Sequence, residues 1–171
     1  MASLEILSYP DERLRQKSLE VEHFDQTLWD FIADLEDTLG VGPGAVGIAA
    51  PQVGHFQRIC IVDVSGRKKT KNHGHLVLIN PEITEWDGFK LGREGGLSVP
   101  DYTGNVVRAE KITLEAFDPE GNELNFEMSG YEARAVQHEL DHLDGLLFLD
   151  RVVSRRNDIF DRKVYKPKPK K

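Results

Sequence analysis

The chain has 171 residues, of which 39% are hydrophobic and 30% charged, a balance that suits a single globular domain and is wrong for disorder or a coiled coil. No segment approaches the roughly 18 apolar residues of a membrane span. The start Met1-Ala2-Ser3-Leu4-Glu5 lacks the basic and apolar regions of a secretory signal, so the expectation is a cytoplasmic protein with no membrane partner.

From Leu28 to Leu39, apolar residues at 28, 31, 32, 35 and 39 predict a helix, with Asp25 as N-cap and Gly40 as the stop. The following stretch, Gly42 to Gln52, is too rich in Gly and Pro for a helix and too apolar for an exposed loop. It reads as a buried, irregular segment. Strand-like runs come at Arg58–Val64, Leu76–Ile79, Glu82–Trp86 and Lys111–Phe117, and the last turns through Asp118-Pro119-Glu120-Gly121-Asn122 into Glu123–Met128 as a hairpin. Between the first two runs, Ser65 to Gly74 reads as a solvated basic turn. Cys60, the only cysteine, precludes an internal disulfide. Within Ile59-Cys60-Ile61 it reads as a small buried hydrophobe.

After Gly130 a second helix should run to about Leu143 and end at Gly145. Strands joined mainly by hairpins, with two separate helices, indicate an α+β domain with antiparallel sheets rather than βαβ units. The net charge of −7 is uneven: residues 151–171 hold nine Lys or Arg against Asp158 and Asp161, a local +7, which leaves −14 on residues 1–150. One domain, 1–150, followed by a basic tail, 151–171, is the expected organisation, with Lys166 to Lys171 extended and mobile. Such a tail is either a solvated end or a contact to a polyanion through counterion release, without sequence-specific nucleic-acid recognition.

On the second helix His138 and His142 stand four residues apart, so both imidazoles leave one face and can reach a single ion. Two neutral imidazoles bind Zn²⁺ or Fe²⁺, and the adjacent Glu139 carboxylate can take a proton from water that the ion acidifies. Val136, Leu140, Leu143 and Leu146 mark the helix as buried, and burying two histidines and two carboxylates with no shared partner would be expensive. Asp141 either orients a ligand imidazole or binds elsewhere.

Three separated motifs resemble those of the peptide deformylases, the metallohydrolases that remove the N-terminal formyl group from new polypeptides. Gln137-His138-Glu139-Leu140-Asp141-His142-Leu143-Asp144-Gly145 fits the family's QHExDHLxG throughout. Ala45-Val46-Gly47-Ile48-Ala49-Ala50-Pro51-Gln52 is similar to GxGxAAxQ, with Ala45 in place of the first glycine. Glu94-Gly95-Gly96-Leu97-Ser98 is similar to EGCLS, with Gly96 where the family has cysteine. The resemblance runs from about Leu7 to Arg151 and implies antiparallel sheets packed around a central helix carrying the HExxH motif.

The resemblance further implies that His138 and His142 hold one divalent ion, Fe²⁺ or Zn²⁺. The cysteine thiolate that would complete the protein ligands has no counterpart at Gly96, so the ion should be held weakly. Glu139 is implied as general base and then acid, with the Gln52 side-chain amide and the Leu97 backbone N–H as donors to the oxyanion. Glu94 and Arg108 are implied as an ion pair fixing the third motif. The implied substrates are formylated peptide N-termini, and the ribosome is an implied partner through the basic tail. A non-catalytic homologue that binds peptide N-termini is the alternative, favoured by Gly96 and Ala45. An unrelated HExxH protease leaves two of the three motifs unexplained.

Overall fold

The computed structural model describes residues 3–41 and 44–162. Lys166 to Lys171, expected to be extended, lie outside the described residues.

The first helix, α1 (Gln26–Val41), buries Leu28, Ile32 and Leu35, and the Asp25 side chain accepts from the backbone N–H of Leu28, as an N-cap does. Gly40 does not stop it, because the helix includes Val41. Residues 44–52 are less irregular than their composition suggests: Gly47–Ala49 is a strand, β1, followed by a 3₁₀ turn at Ala50–Val53. β1 pairs antiparallel with β2 (Ile59–Val62).

β2 is buried at every residue, and its two faces serve different cores. Ile59 and Ile61 pack with Leu28, Ile32 and Leu35 of α1, whereas Cys60 and Val62 pack with Val136, Leu140 and Leu143 of the second helix. A strand covered on both faces needs no polar alternation, which is why Ile-Cys-Ile-Val is continuously apolar.

The runs expected at 76–79 and 82–86 are one strand, β3 (Leu76–Asp87), with a register shift at residues 80–81. Asn80 sits there at φ +50° and its side chain bonds both the N–H and the C=O of Val21, at 2.8 and 3.0 Å. Asparagine tolerates this backbone region better than most residues, and the two bonds anchor the N-terminal segment to the bulge.

The next two strands, β4 (Lys90–Gly96) and β5 (Val99–Arg108), were not expected from sequence. Glycines at 92, 95, 96 and 104 and a proline at 100 hide them, since these residues are poor strand formers. β6 (Lys111–Phe117) and β7 (Glu123–Ser129) form the expected hairpin. The larger sheet runs β1-β2-β3-β6-β7, with every pair antiparallel.

The second helix, α2 (Gly130–Leu143), lies against this sheet with its other side toward β4 and β5. At its end Gly145 has φ +77°, and a Cβ there would collide with the backbone of Arg15. Glycine is required on both counts.

The basic segment begins inside the fold. Val152 bridges to Val106, and Ile159–Asp161 forms β8, which pairs with β5 to complete a three-stranded sheet, β4-β5-β8. Charge counted along the chain cannot reveal this, because the docking is made by Val152 and Ile159, packed against a third core of Leu14, Val99, Val106 and Phe148.

Candidate metal centre

One potential ligand atom from each of His138, Glu139 and His142 lies within 4.8 Å of the others, on the face of α2 that the four-residue spacing predicts. The residues are 3–4% exposed at Glu139 and His142, and His138 is largely buried. The His138 ring donates through Nδ1–H to Glu94 Oε1 at 2.9 Å, which turns its other nitrogen, Nε2, toward Gly96. A Cβ at residue 96 would lie 3.2 Å from that nitrogen. The third motif therefore faces the histidines, with no side chain reaching them from residue 96.

Burial depresses the basicity of His142 well below the usual histidine range, and the nearby His138 and Arg108 add to this, so its imidazole is neutral and has the form that binds metal. His138 goes the other way. Burial lowers its basicity, but the hydrogen bond to Glu94 and the charges of Glu139 and Glu94 outweigh that. Burial pushes the Glu139 carboxyl up to about 7. Its carboxylate packs against Gly47, where a Cβ would meet Oε2 at 2.7 Å, so only glycine at 47 leaves room for it. Two imidazoles and a carboxylate, buried together, form a donor set suited to Zn²⁺ or Fe²⁺.

Behind the histidines lies a buried ionic network. Glu94 on β4 takes a two-pronged bond from Arg108 on β5, with both distances 2.9 Å, and a further bond from Arg134 at 2.6 Å. Arg108 also reaches Asp141 Oδ2 at 2.5 Å, and Asp141 is held in turn by Arg151 at 2.6 and 3.0 Å. Glu94 and Arg108 are about 5% exposed, so the pair is internal rather than an ordinary surface bridge. Asp141 does not touch an imidazole in this network; it connects to His138 through Arg108 and Glu94. Burial disfavours the Glu94 charge, but Arg108 and His138 overcome this and hold its carboxyl far below the usual range.

Gln52 and Leu97 line the same cavity of about 300 Å³ as His138 and Glu139. The Gln52 carbonyl oxygen accepts from Ala49 N–H at 2.9 Å and its amide nitrogen donates to Ser98 Oγ at 3.0 Å, which fixes the amide's orientation. Leu97 opens the two-residue turn between β4 and β5. Cys60, fully buried on β2, is not one of the three clustered donors.

Arg67, Arg93, Arg134 and Arg162 also line the cavity and were not singled out in the sequence. Arg134 carried a signal, since it precedes His138 by four residues on α2. Arg93 stands beside Glu94, but Arg67 and Arg162 come from a loop and from the residue after β8, where nothing local marks them. The Ser65 to Gly74 loop is more than a solvated turn: His73 bonds the buried Glu132 of α2 through its backbone N–H and Nδ1, at 2.7 and 2.5 Å, and Arg67 lies over the Tyr131 ring at 3.9 Å.

A family model described as Polypeptide deformylase matches residues 3–158. The peptide deformylase of Thermodesulfovibrio yellowstonii is 41% identical over 168 residues, covering 98% of this chain and 99% of its own. Among solved structures, a peptide deformylase from Legionella pneumophila superposes with a TM-score of 0.82 at 42% identity, covering 91% of this chain and 89% of the other. The Met-Ala-Ser bound class I type b peptide deformylase from Acinetobacter baumannii gives a TM-score of 0.83 at 32% identity, covering 88% and 99%. Fold, helix motif and a match along nearly the whole chain agree, and the chain belongs to the polypeptide deformylase family.

Proposed function

We propose that the chain hydrolyses the N-terminal formyl amide of formyl-methionyl peptides, with His138 and His142 holding one divalent ion, Fe²⁺ or Zn²⁺, less tightly than a site with three protein ligands would. The observation that carries this reading is the convergence of His138, Glu139 and His142, the first two of which line a cavity together with Gln52 and Leu97. When bound, the ion supplies Lewis acidity and brings the ionisation of water near neutrality.

The remaining work falls to the chain's own groups. Glu139 takes a proton from water at its carboxylate and returns it to the leaving amine nitrogen. The Gln52 amide nitrogen and the Leu97 backbone N–H donate to the oxyanion that develops on the formyl oxygen. Glu94 holds His138 by its Nδ1, so that Nε2 is the nitrogen presented to the ion. Ser98 and Ala49 keep the Gln52 amide from turning.

The Acinetobacter baumannii relative was solved with Met-Ala-Ser bound, which supports a peptide N-terminus as the occupant of the equivalent cavity here. Release of formate from formyl-Met-Ala-Ser by the metal-loaded protein tests the proposal. Binding of Met-Ala-Ser without formate release would support the non-catalytic reading that Gly96 favours.

The reading extends to a weak, salt-sensitive ribosome contact through the five lysines of residues 163–171, a segment without acidic residues. Because β8 occupies Ile159–Asp161, deleting 155–171 would remove a strand, and the informative truncation starts at 163. Equal ribosome binding with and without 163–171 across a salt titration would reduce this segment to a solvated end.

A further inference from the structure

The protein carries a net charge of −7, yet four of the residues lining the cavity at His138 and Glu139 are arginines, against the two carboxylates Glu94 and Glu139. Arg134 is neutralised, because its guanidinium bonds Glu94. Arg67, Arg93 and Arg162 are different. Among the described residues none of the three has a carboxylate within ion-pair distance.

Each is nevertheless held in place. Arg67 stacks on Tyr131, on a loop pinned to α2 by the bonds from His73 to Glu132. Arg93 stacks on Phe160 at 3.8 Å and bonds Asn105 and Thr103 at 3.1 and 3.3 Å. Arg162 packs against Gly95, whose missing Cβ makes room for it, and among the described residues its guanidinium reaches only the Gly96 carbonyl, at 3.5 Å. Its Nε is buried and has no acceptor among the described residues. Buried guanidinium donors are costly to leave unpaired, and preorganised arginine forks match carboxylates.

We propose that Arg93 and Arg162, with Arg67 of the same cavity, form a carboxylate-recognition subsite that selects peptides with an acidic side chain in the first residues after the formyl-methionine. The inference rests on the hydrolase reading for the position of the formyl end. The arginines line the same cavity as His138 and Glu139, and an extended peptide advances about 3.3–3.6 Å per residue. The proposal places the carboxylate on the second or third residue. A peptide fits better than a nucleic acid because the arginines share their cavity with the groups that would bind an amide.

The test uses the metal-loaded full-length protein and C-terminally amidated peptides, which removes the terminal carboxylate as a competing anion. Formyl-Met-Asp-Ser and formyl-Met-Ala-Asp are compared with their Lys counterparts for kcat/KM, and the deformylated products are compared for affinity by calorimetry. At one of the two positions the acidic peptide should be preferred about tenfold in both measurements, and the preference should shrink in high salt. In Arg93→Gln and Arg162→Gln the acid-to-lysine ratio should fall toward one, with Arg67→Gln as the check should Arg162→Gln not fold.

Acid-selective binding of the products with no formate released would sustain the subsite and overturn the hydrolase reading. Equal turnover of acidic and lysine peptides would sustain the hydrolase and overturn the subsite. Tighter, arginine-dependent binding of a uridine hexanucleotide than of Met-Ala-Asp amide would also overturn the subsite, in favour of RNA.

Discussion

A Cβ placed on Gly96 would stand 3.2 Å from Nε2 of His138. A cysteine there would therefore direct its sulfur to the side of the site where the two imidazoles converge. Gly96→Cys should bind Zn²⁺ at least about tenfold more tightly, because a third protein ligand replaces a water. His138 must yield by a few tenths of an ångström to admit the Cβ, a cost well below the gain of a metal–thiolate bond. Equilibrium dialysis against a competing chelator reads the change. Unchanged affinity would mean that residue 96 does not face the ion.

Glu139 lies against Gly47 with its carboxylate buried. Glu139→Gln keeps the shape and loses the base, so the ion should remain bound while formate release falls about 10²–10⁴-fold. Metal content and turnover measured on the same sample separate the two effects. Turnover like that of the unaltered protein would remove Glu139 from the mechanism.

Arg108 joins Glu94 to Asp141 across the interior. Arg108→Ala leaves two buried carboxylates with fewer partners and should cost about 3–5 kcal/mol of stability, as breaking a buried pair does. Arg108→Lys should recover part of this, since an ammonium cannot make the two-pronged bond to Glu94. Urea unfolding measures both. A loss below about 1 kcal/mol would mean that the network is worth no more than surface pairs.

His75 sits between Glu36 of α1 and Asp63, at 2.9 and 3.3 Å. Partial burial lowers its basicity, but the bonds to Glu36 and Asp63 prevail and raise its pKa above the ordinary 6.5. A histidine pKa raised on folding stabilises the fold fully below the unfolded value and less as pH rises through the folded one. His75→Gln should therefore lose stability relative to the unaltered protein at acidic pH, with the difference fading at alkaline pH. The side chain is 47% exposed, which limits the effect to about 1 kcal/mol. Paired urea titrations across this range check the sign.

The helix face carrying His138 and His142 was legible in the sequence because a four-residue spacing maps directly onto one side of a helix. Gln52 and Leu97 reached the candidate site through motif resemblance alone; no spacing rule joins residues so far apart in the chain. The second sheet was not legible. β4 and β5 are specified by tertiary contacts, such as Arg108 with Glu94 and Val106 with Phe148, and their glycines contradict local strand propensity. Gly104 shows why: a Cβ there would meet Val152 at 2.6 Å and Phe148 at 3.3 Å, so close packing, not propensity, selects the residue. The same limit hid the cavity's arginines, which converge from a loop, from the strand residue Arg93, from α2 and from the chain following β8.

In the proposed function two imidazoles, without the thiolate, hold an ion that supports deformylation. The most direct measurement titrates the metal-free protein with Fe²⁺ or Zn²⁺ while recording bound ion and formate release from formyl-Met-Ala-Ser on the same samples. The proposed function calls for one ion per chain and turnover that rises in proportion to occupancy. A fully occupied protein that releases no formate would contradict it.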